Sequence, residues 1–277
     1  MSIRSRRTFH ELVTLPDGAI PLAETALLLA CEEYPQLEIS PYLDKLDEIG
    51  QKVQSKLGSS RTPLATIDAI NDVLFGEMGF RGNTENYNDP RNSFFNDVLE
   101  RRTGIPITLA AVYLEVARRV SFPLSGVGMP GHFLVKYVDR DQELFLDPFN
   151  NGDILTRDDC ARRFAQMFGE THPFNEQMLA AVGPRQIVFR MLNNLKAIYL
   201  KVHAYDKGLG IVDMMLIADP DAMEQYRDRG VLHAQLRHFD AAAKDFERYI
   251  KNSPDSKDRS QVEEHLKELR RIQAMMN

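Results

Sequence analysis

Cysteine is scarce in this chain: Cys31 and Cys160 are the two among 277 residues. They lie far apart and outside any metal-ligand spacing, which excludes a disulfide framework and fits a reducing compartment. An excess of positive charge is also missing. Lys and Arg number 34 against 40 Asp and Glu, a formal net charge of −6. That argues against a dedicated nucleic-acid binder, which carries a basic face. No apolar run is long enough for a bilayer; the longest, near ETALLLACEEY (24–34), is well short of the roughly 20 residues a spanning helix needs. Arg4, Arg6 and Arg7 precede HELVTLPDG rather than an apolar stretch, so no secretory signal is expected and the protein is expected in the cytoplasm. His172, His203, His233 and His238 are scattered without ligand spacing. No glycine-rich phosphate loop is present. The expectation is therefore no metal, no cofactor, no membrane and no nucleic-acid partner.

What is present is an ordinary globular composition, 43% hydrophobic and 27% charged, in a chain long enough for two domains. Residues 20–56 read as helices, with Leu22, Ala26, Leu29 and Ala30 on one stripe and Tyr42, Leu43, Leu46, Ile49 and Val53 on the next. Pro35 should end the first. Thr62 is a natural N-cap before Pro63, and TIDAINDVLF continues as helix. FRGNTENYNDPRNS (80–93) is polar and rich in turn residues, a long loop of the kind that often carries function. SFFNDVLERR (93–102) reads as a short helix. ITLAAVYLEVARRV (107–120) is apolar on nearly every side, which predicts a buried central helix. Thr108, Glu115 and Arg119 share one stripe of it.

Two strands follow. PGHFLVKYV (130–138) alternates His132, Leu134, Lys136 and Val138 on one face with Phe133, Val135 and Tyr137 on the other. The four-residue turn DRDQ (139–142) then sets Val138 opposite Glu143 and Leu134 opposite Asp147. His132 and Asp147 become diagonal neighbours on one face, within reach of an imidazole–carboxylate contact. A loop of odd length would separate them.

Beyond about residue 184 the chain reads as entirely helical and repeats itself. Pro220 and Pro254 stand 34 residues apart, the period of tetratricopeptide units. Sliding by that period pairs Leu192 with Tyr226, Lys196 with Gly230, Tyr199 with His233, Gly208 with Ala242, Val212 with Phe246 and Met215 with Tyr249. The second copy fits the pattern well and the first is degenerate. DRSQVEEHLKELRRIQAMM (258–276) is an amphipathic helix suited to capping the array.

Together, DPRNSFFNDVLERRTGIPITLAAVYLEVARR, PGHFLVKY and LFLDPFNNGDIL resemble the SirB-type bacterial proteins, which join a transglutaminase-like region to tetratricopeptide repeats. The resemblance covers essentially the whole chain. It implies an α+β fold: a helical N-terminal segment and a transglutaminase-like, papain-like core with a small antiparallel sheet over residues 1–183, then all-α repeats over 184–277. Such a core places a cysteine at the start of the central helix, where the helix dipole and a histidine from the next strand lower its pKa. An aspartate on the following strand orients the histidine. His132 and Asp147 match those positions. The cysteine window, Gly104 to Thr108, holds no cysteine.

Two readings stand side by side. His132 and Asp147 are a general base with its orienting carboxylate, or a hydrogen bond retained in a fold without chemistry. Thr108 is a substitute nucleophile, or a helix-start threonine bonded to backbone. Cys160 at a helix start and Cys31 on an apolar helix read as core. Arg91, Asn92 and Glu100 border the presumed cleft; the DPRNS segment binds a substrate or peptide terminus, or Asn92 or Ser93 caps the following helix. Glu115, Arg118 and Arg119 read as a surface ion-pair network. In the repeats Tyr199, His203, His233 and Arg237 are groove candidates for a protein or peptide partner. The leading expectation is a binding or scaffold protein with a non-catalytic core. The alternative is an acyl-transfer or amide-hydrolysing enzyme using His132 and Asp147 with Thr108 or an activated water.

Overall fold

The computed structural model describes residues 2–59, 61–169 and 171–276. The chain divides into two compact units, Met1–Met191 and Leu192–Asn277. The fold is α+β, as expected, with helices and a small sheet in the first part and helices alone after it.

The first unit opens with α1 (Ile3–Val13), a helix the apolar pattern did not announce because it buries only Phe9 and Val13. Helix α2 (Leu22–Ala30) is buried along nearly its whole length and ends well before Pro35. Helix α3 (Ser40–Leu57) buries the stripe Leu46, Ile49, Val53 and Leu57. Thr62 caps α4 (Pro63–Asn71), its hydroxyl accepting from the Ala65 amide. The chain then widens into a π-helical turn, Asp72–Glu77, instead of continuing as one α-helix.

The loop that follows is not structureless. Strand β1 (Arg81–Gly82) pairs in parallel with β2 (Thr103–Gly104), and Pro90–Asn92 forms a single 3₁₀ turn. Between them run α5 (Phe95–Arg101) and the closing left-handed residue Arg102. Helix α6 (Pro106–Arg119) is the centre of the unit: Pro106 through Tyr113, then Glu115 to Ala117, are buried. Each fully buried Val, Leu or Ile there contributes about 1.5–3 kcal/mol.

Strands β3 (Ser125–Val127), β4 (Leu134–Val138), β5 (Glu143–Asp147), β6 (Asp153–Leu155) and β7 (Ala181–Val182) form an antiparallel sheet in the order β6-β5-β4-β3-β7. Val138 faces Glu143 and Val135 faces Leu146, the register the four-residue turn dictates. Helix α7 (Arg157–Phe168) starts at a reciprocal box between Thr156, its cap, and Asp159. Cys160 and Phe164 of α7 pack with Val127, Leu134 and Phe145 of the sheet. Helix α8 (Pro184–Lys201) follows, and the division between the units falls within it, between Met191 and Leu192.

In the second unit α9 (Tyr205–Ala218), α10 (Met223–Gln235), α11 (Phe239–Asn252) and α12 (Arg259–Met276) follow. Helices α9 and α11 begin and end at positions offset by the same 34-residue period. The turn residues His203 and Arg237 repeat it too, with left-handed φ of 57° and 61°. Gly230 shows why the second copy fits: a Cβ there would lie 2.5 Å from the Phe246 ring. In the first copy Lys196 stands in that place with the smaller Val212 in place of Phe246, and its ammonium reaches Gln225 and Asp228.

Candidate functional site

Asp147 ends β5 and is fully buried. Pro148 at the first position of the next 3₁₀ turn fixes the backbone, and the Asp147 Oδ1 accepts from the amides of Phe149 and Asn150 at 3.1 and 3.3 Å. Its Oδ2 accepts from His132 Nε2 at 2.9 Å, Asn150 Nδ2 at 2.8 Å and Arg163 Nη1. Burial alone would raise the Asp147 pKa. The His132 bond, with Asn150 and Arg163 behind it, overrides that and holds the carboxyl below its usual value.

His132 precedes β4. The turn before it needs Gly131, whose φ is 73° and whose Cβ position lies 3.1 Å from the Phe168 ring. Arg190 holds the same turn, donating to the carbonyls of Met129 and His132 at 2.9 and 2.8 Å, with its guanidinium over the Phe133 ring. The imidazole meets Phe149 edge to face, ring centres 6.0 Å apart. Its Nδ1 makes no hydrogen bond with a described residue. Arg163, Asn150 and Arg190 were not apparent as site residues. Asn150 had a signal: an aspartate followed by proline and then Asn three residues on is a capped-turn pattern. Arg163 and Arg190 are brought in by tertiary packing and had none.

Helix α6 does start in the window where the nucleophile would stand, and what stands there is buried and without sulfur. Thr108 is 0% exposed; its hydroxyl donates to the Asn92 carbonyl at 2.7 Å and accepts from the Ile105 amide at 3.1 Å. This is the backbone-bonded role of a helix-start threonine, and no hydrogen bond joins Thr108 to His132 among the described residues. Both cysteines are free and buried. Burial pushes the Cys160 thiol up to about 11 and raises Cys31 as well, the reverse of an activated thiolate.

Two further expectations are corrected. Asn92 does not cap α5; Phe94 occupies that position. The Asn92 amide instead pins the loop, donating to the Asn86 and Tyr87 carbonyls at 2.8 and 3.2 Å and accepting from Asn83 at 3.1 Å. Arg91 grips Asp89, Nη2 to Oδ2 2.8 Å. Glu115 is no surface residue: it is buried, pairs with Arg119 at 2.6 Å and Arg118 at 3.0 Å, and accepts from the Ala23 amide at the start of α2 at 3.3 Å. A carboxylate there complements the positive end of α2.

In the repeat unit the groove candidates separate. Tyr199 is 3% exposed and belongs to the core rather than to a groove. His203 and Arg237 sit in the inter-helix turns, not on the faces of first helices. His203 Nδ1 meets the Tyr205 hydroxyl at 2.7 Å. His233 lies on α10, its Nδ1 3.4 Å from His238 Nδ1. Burial lowers its pKa against the pull of Asp245.

Among the described residues no group of three or more His, Cys, Asp and Glu is arranged to hold a metal ion, and no helix is long and apolar enough to cross a membrane.

Residues 40–193 match the Transglutaminase-like superfamily, and residues 195–267 match the tetratricopeptide repeat. The chain is 36% identical over 264 residues to a UPF0162 protein of Xylella fastidiosa, covering 94% of each. A UPF0162 protein of Vibrio cholerae is 30% identical over 237 residues, covering 85% of this chain and 87% of its own length. F-box only protein 21 of Mus musculus is 32% identical over 169 residues, which are 57% of this chain and 26% of that protein. No solved structure matches the chain.

Proposed function

This chain belongs to the transglutaminase-like superfamily and, with its tetratricopeptide repeats, to the UPF0162 family, and from that premise we propose that it is a cytoplasmic scaffold that binds a protein or peptide through the repeats and does no covalent chemistry in its core. The reading includes the SirB-type kinship drawn from the GIP, PGHF and DPF segments. It rests on one observation. The His132–Asp147 pair is assembled, yet the helix start that would supply the nucleophile offers Pro106, Ile107 and a Thr108 hydroxyl already donated to a carbonyl. An oxygen nucleophile needs its proton taken by a base in hydrogen-bond reach, and here the proton is spent elsewhere. Free cysteines without a disulfide support the reducing compartment. The similarity to part of a longer protein named for an F-box supports reuse as a module.

The experiment pairs capture with chemistry. Partner capture by the full chain should survive His132→Ala and be lost on removal of the repeats. Ammonia release from N-acetylglutaminyl-glycine should stay at background for the wild type, His132→Ala and Thr108→Val. Turnover, or an acyl adduct in the intact mass, that disappears with His132→Ala overturns the reading. The unengaged Nδ1 of His132 favours the second reading, an acyl-transfer or amide-hydrolysing enzyme in which that nitrogen activates a water. Turnover retained in Thr108→Val but lost in His132→Ala is its signature.

A further inference from the structure

The polar loop 80–93 does more than connect two helices: together with the start of β2 it walls a cavity of about 630 Å³. Gly82 lines it with main chain alone. The ladder bonds run from the Arg81 and Asn83 amides to Arg102 and Gly104, so the peptide groups of Gly82 face away from β2, as alternate residues of a parallel pair do. Asn83 and Thr103 add polar side chains of the kind that meet a peptide backbone.

Charge is what distinguishes the cavity. Three arginines, Arg81, Arg91 and Arg101, line it with two carboxylates, Glu85 and Asp89, leaving one excess positive charge. Asp89 is already gripped by Arg91 at 2.8 Å and faces Arg101 at 3.6 Å. The Arg81 guanidinium is exposed and makes no ion pair or hydrogen bond with any described residue. A planar guanidinium matches one carboxylate in a bidentate pair. A dianion such as phosphate would meet the two resident carboxylates with only one unengaged arginine to answer it.

One lining residue, Gly82, leads from the cavity toward the histidine. A Cβ on Gly82 would lie 2.6 Å from the Phe149 ring, so the glycine lets that ring pack directly against β1. Phe149 in turn contacts His132 on one side and Tyr87, 44% exposed, on the other, ring centres 6.0 and 6.3 Å apart.

We propose that this cavity is a peptide-binding site that takes a carboxylate on Arg81, one aromatic ring away from His132. It stands whether or not the core is catalytic and whether or not the repeats bind a partner.

The test uses the full chain and four probes: N-acetyl-tetraalanine with a free carboxyl terminus, the same peptide amidated, an amidated peptide with one internal glutamate, and inorganic phosphate. Binding is followed by ligand-observed NMR and by the ring resonances of His132, assigned with His132→Gln. A carboxylate peptide should bind about tenfold more tightly than the neutral amide and shift the His132 signals. The terminal and internal acids identify which carboxylate source the site takes. Arg81→Gln should abolish that preference, Arg81→Lys should keep part of it, and Glu85→Gln should strengthen binding; Arg140→Ala, on an exposed turn, is the control. Equal binding of acid and amide, tighter binding of phosphate than of either acid, no binding by any peptide, or an unchanged Arg81→Gln overturns the proposal.

Discussion

Replacing Asp147 by asparagine tests whether the buried carboxylate is the hub that the geometry makes it. Both carboxylate oxygens act only as acceptors. Oδ1 takes the amides of Phe149 and Asn150, and Oδ2 takes His132, Asn150 Nδ2 and Arg163. An asparagine must point its NH₂ at one of these two sets of donors, and neither flip avoids a donor facing donors. The charge opposing Arg163 is lost as well. Breaking a buried pair by removing one partner costs about 3–5 kcal/mol. Arg163 retains Asp153 at 3.2 Å, so the lower half of that range is expected at neutral pH. The sign of the pH dependence follows from the lowered pKa. A depressed folded-state pKa contributes stability that is full above the unfolded value, about 3.9, and is lost as pH falls through the folded value. The gap between wild type and Asp147→Asn should therefore be widest near neutrality and close progressively below about pH 4. Urea unfolding followed by circular dichroism, at pH 7 and at a series of acidic values, reads the midpoint shift at constant slope. A destabilisation under about 1 kcal/mol, or a gap that does not narrow in acid, refutes the account of Asp147 as a charged, fully bonded hub.

Two further outcomes follow from packing. Gly230→Ala should destabilise the repeat unit by about 1–3 kcal/mol, because the added Cβ falls 2.5 Å from the Phe246 ring; Phe246→Leu in the same chain should recover part of the loss, and a melting temperature unchanged by Gly230→Ala alone would contradict the contact. The two thiols should resist a disulfide-exchange reagent at pH 8 in the native protein and both react in guanidinium chloride, since each is buried and Cys160 is pushed up to about 11. One native equivalent of rapid reaction would point to an activated cysteine.

The hairpin was legible because two local rules agree on it. Alternation fixes the faces of a strand, and an even-numbered turn fixes the register, so His132 and Asp147 were placed on one face from the sequence. The repeat was legible for a similar reason: a fixed period reports on backbone geometry before any side chain is located. Where those rules are silent the reading went astray. The period assigned Tyr199 and His233 to equivalent positions, and it said nothing about burial; Tyr199 fills the core while His233 remains partly accessible. Glu115 looked like a solvated charge on a helix, but it is buried and, besides Arg118 and Arg119, accepts from the Ala23 amide, 92 residues away. Helix α1 buries too few residues to carry a stripe.

The same limit bears on the question of chemistry. The missing cysteine is a local fact, visible in Gly104 to Thr108. The state of Thr108 is not local. Its hydroxyl is occupied by the Asn92 carbonyl, 16 residues earlier in the chain, and Asn92 is itself held by the loop through Asn83, Asn86 and Tyr87. The loop that walls the Arg81 cavity is therefore also the element that engages the helix-start hydroxyl. Displacing Asn92 would take this partner from Thr108, leaving its hydroxyl the Ile105 carbonyl at 3.1 Å, and would loosen the loop that walls the cavity.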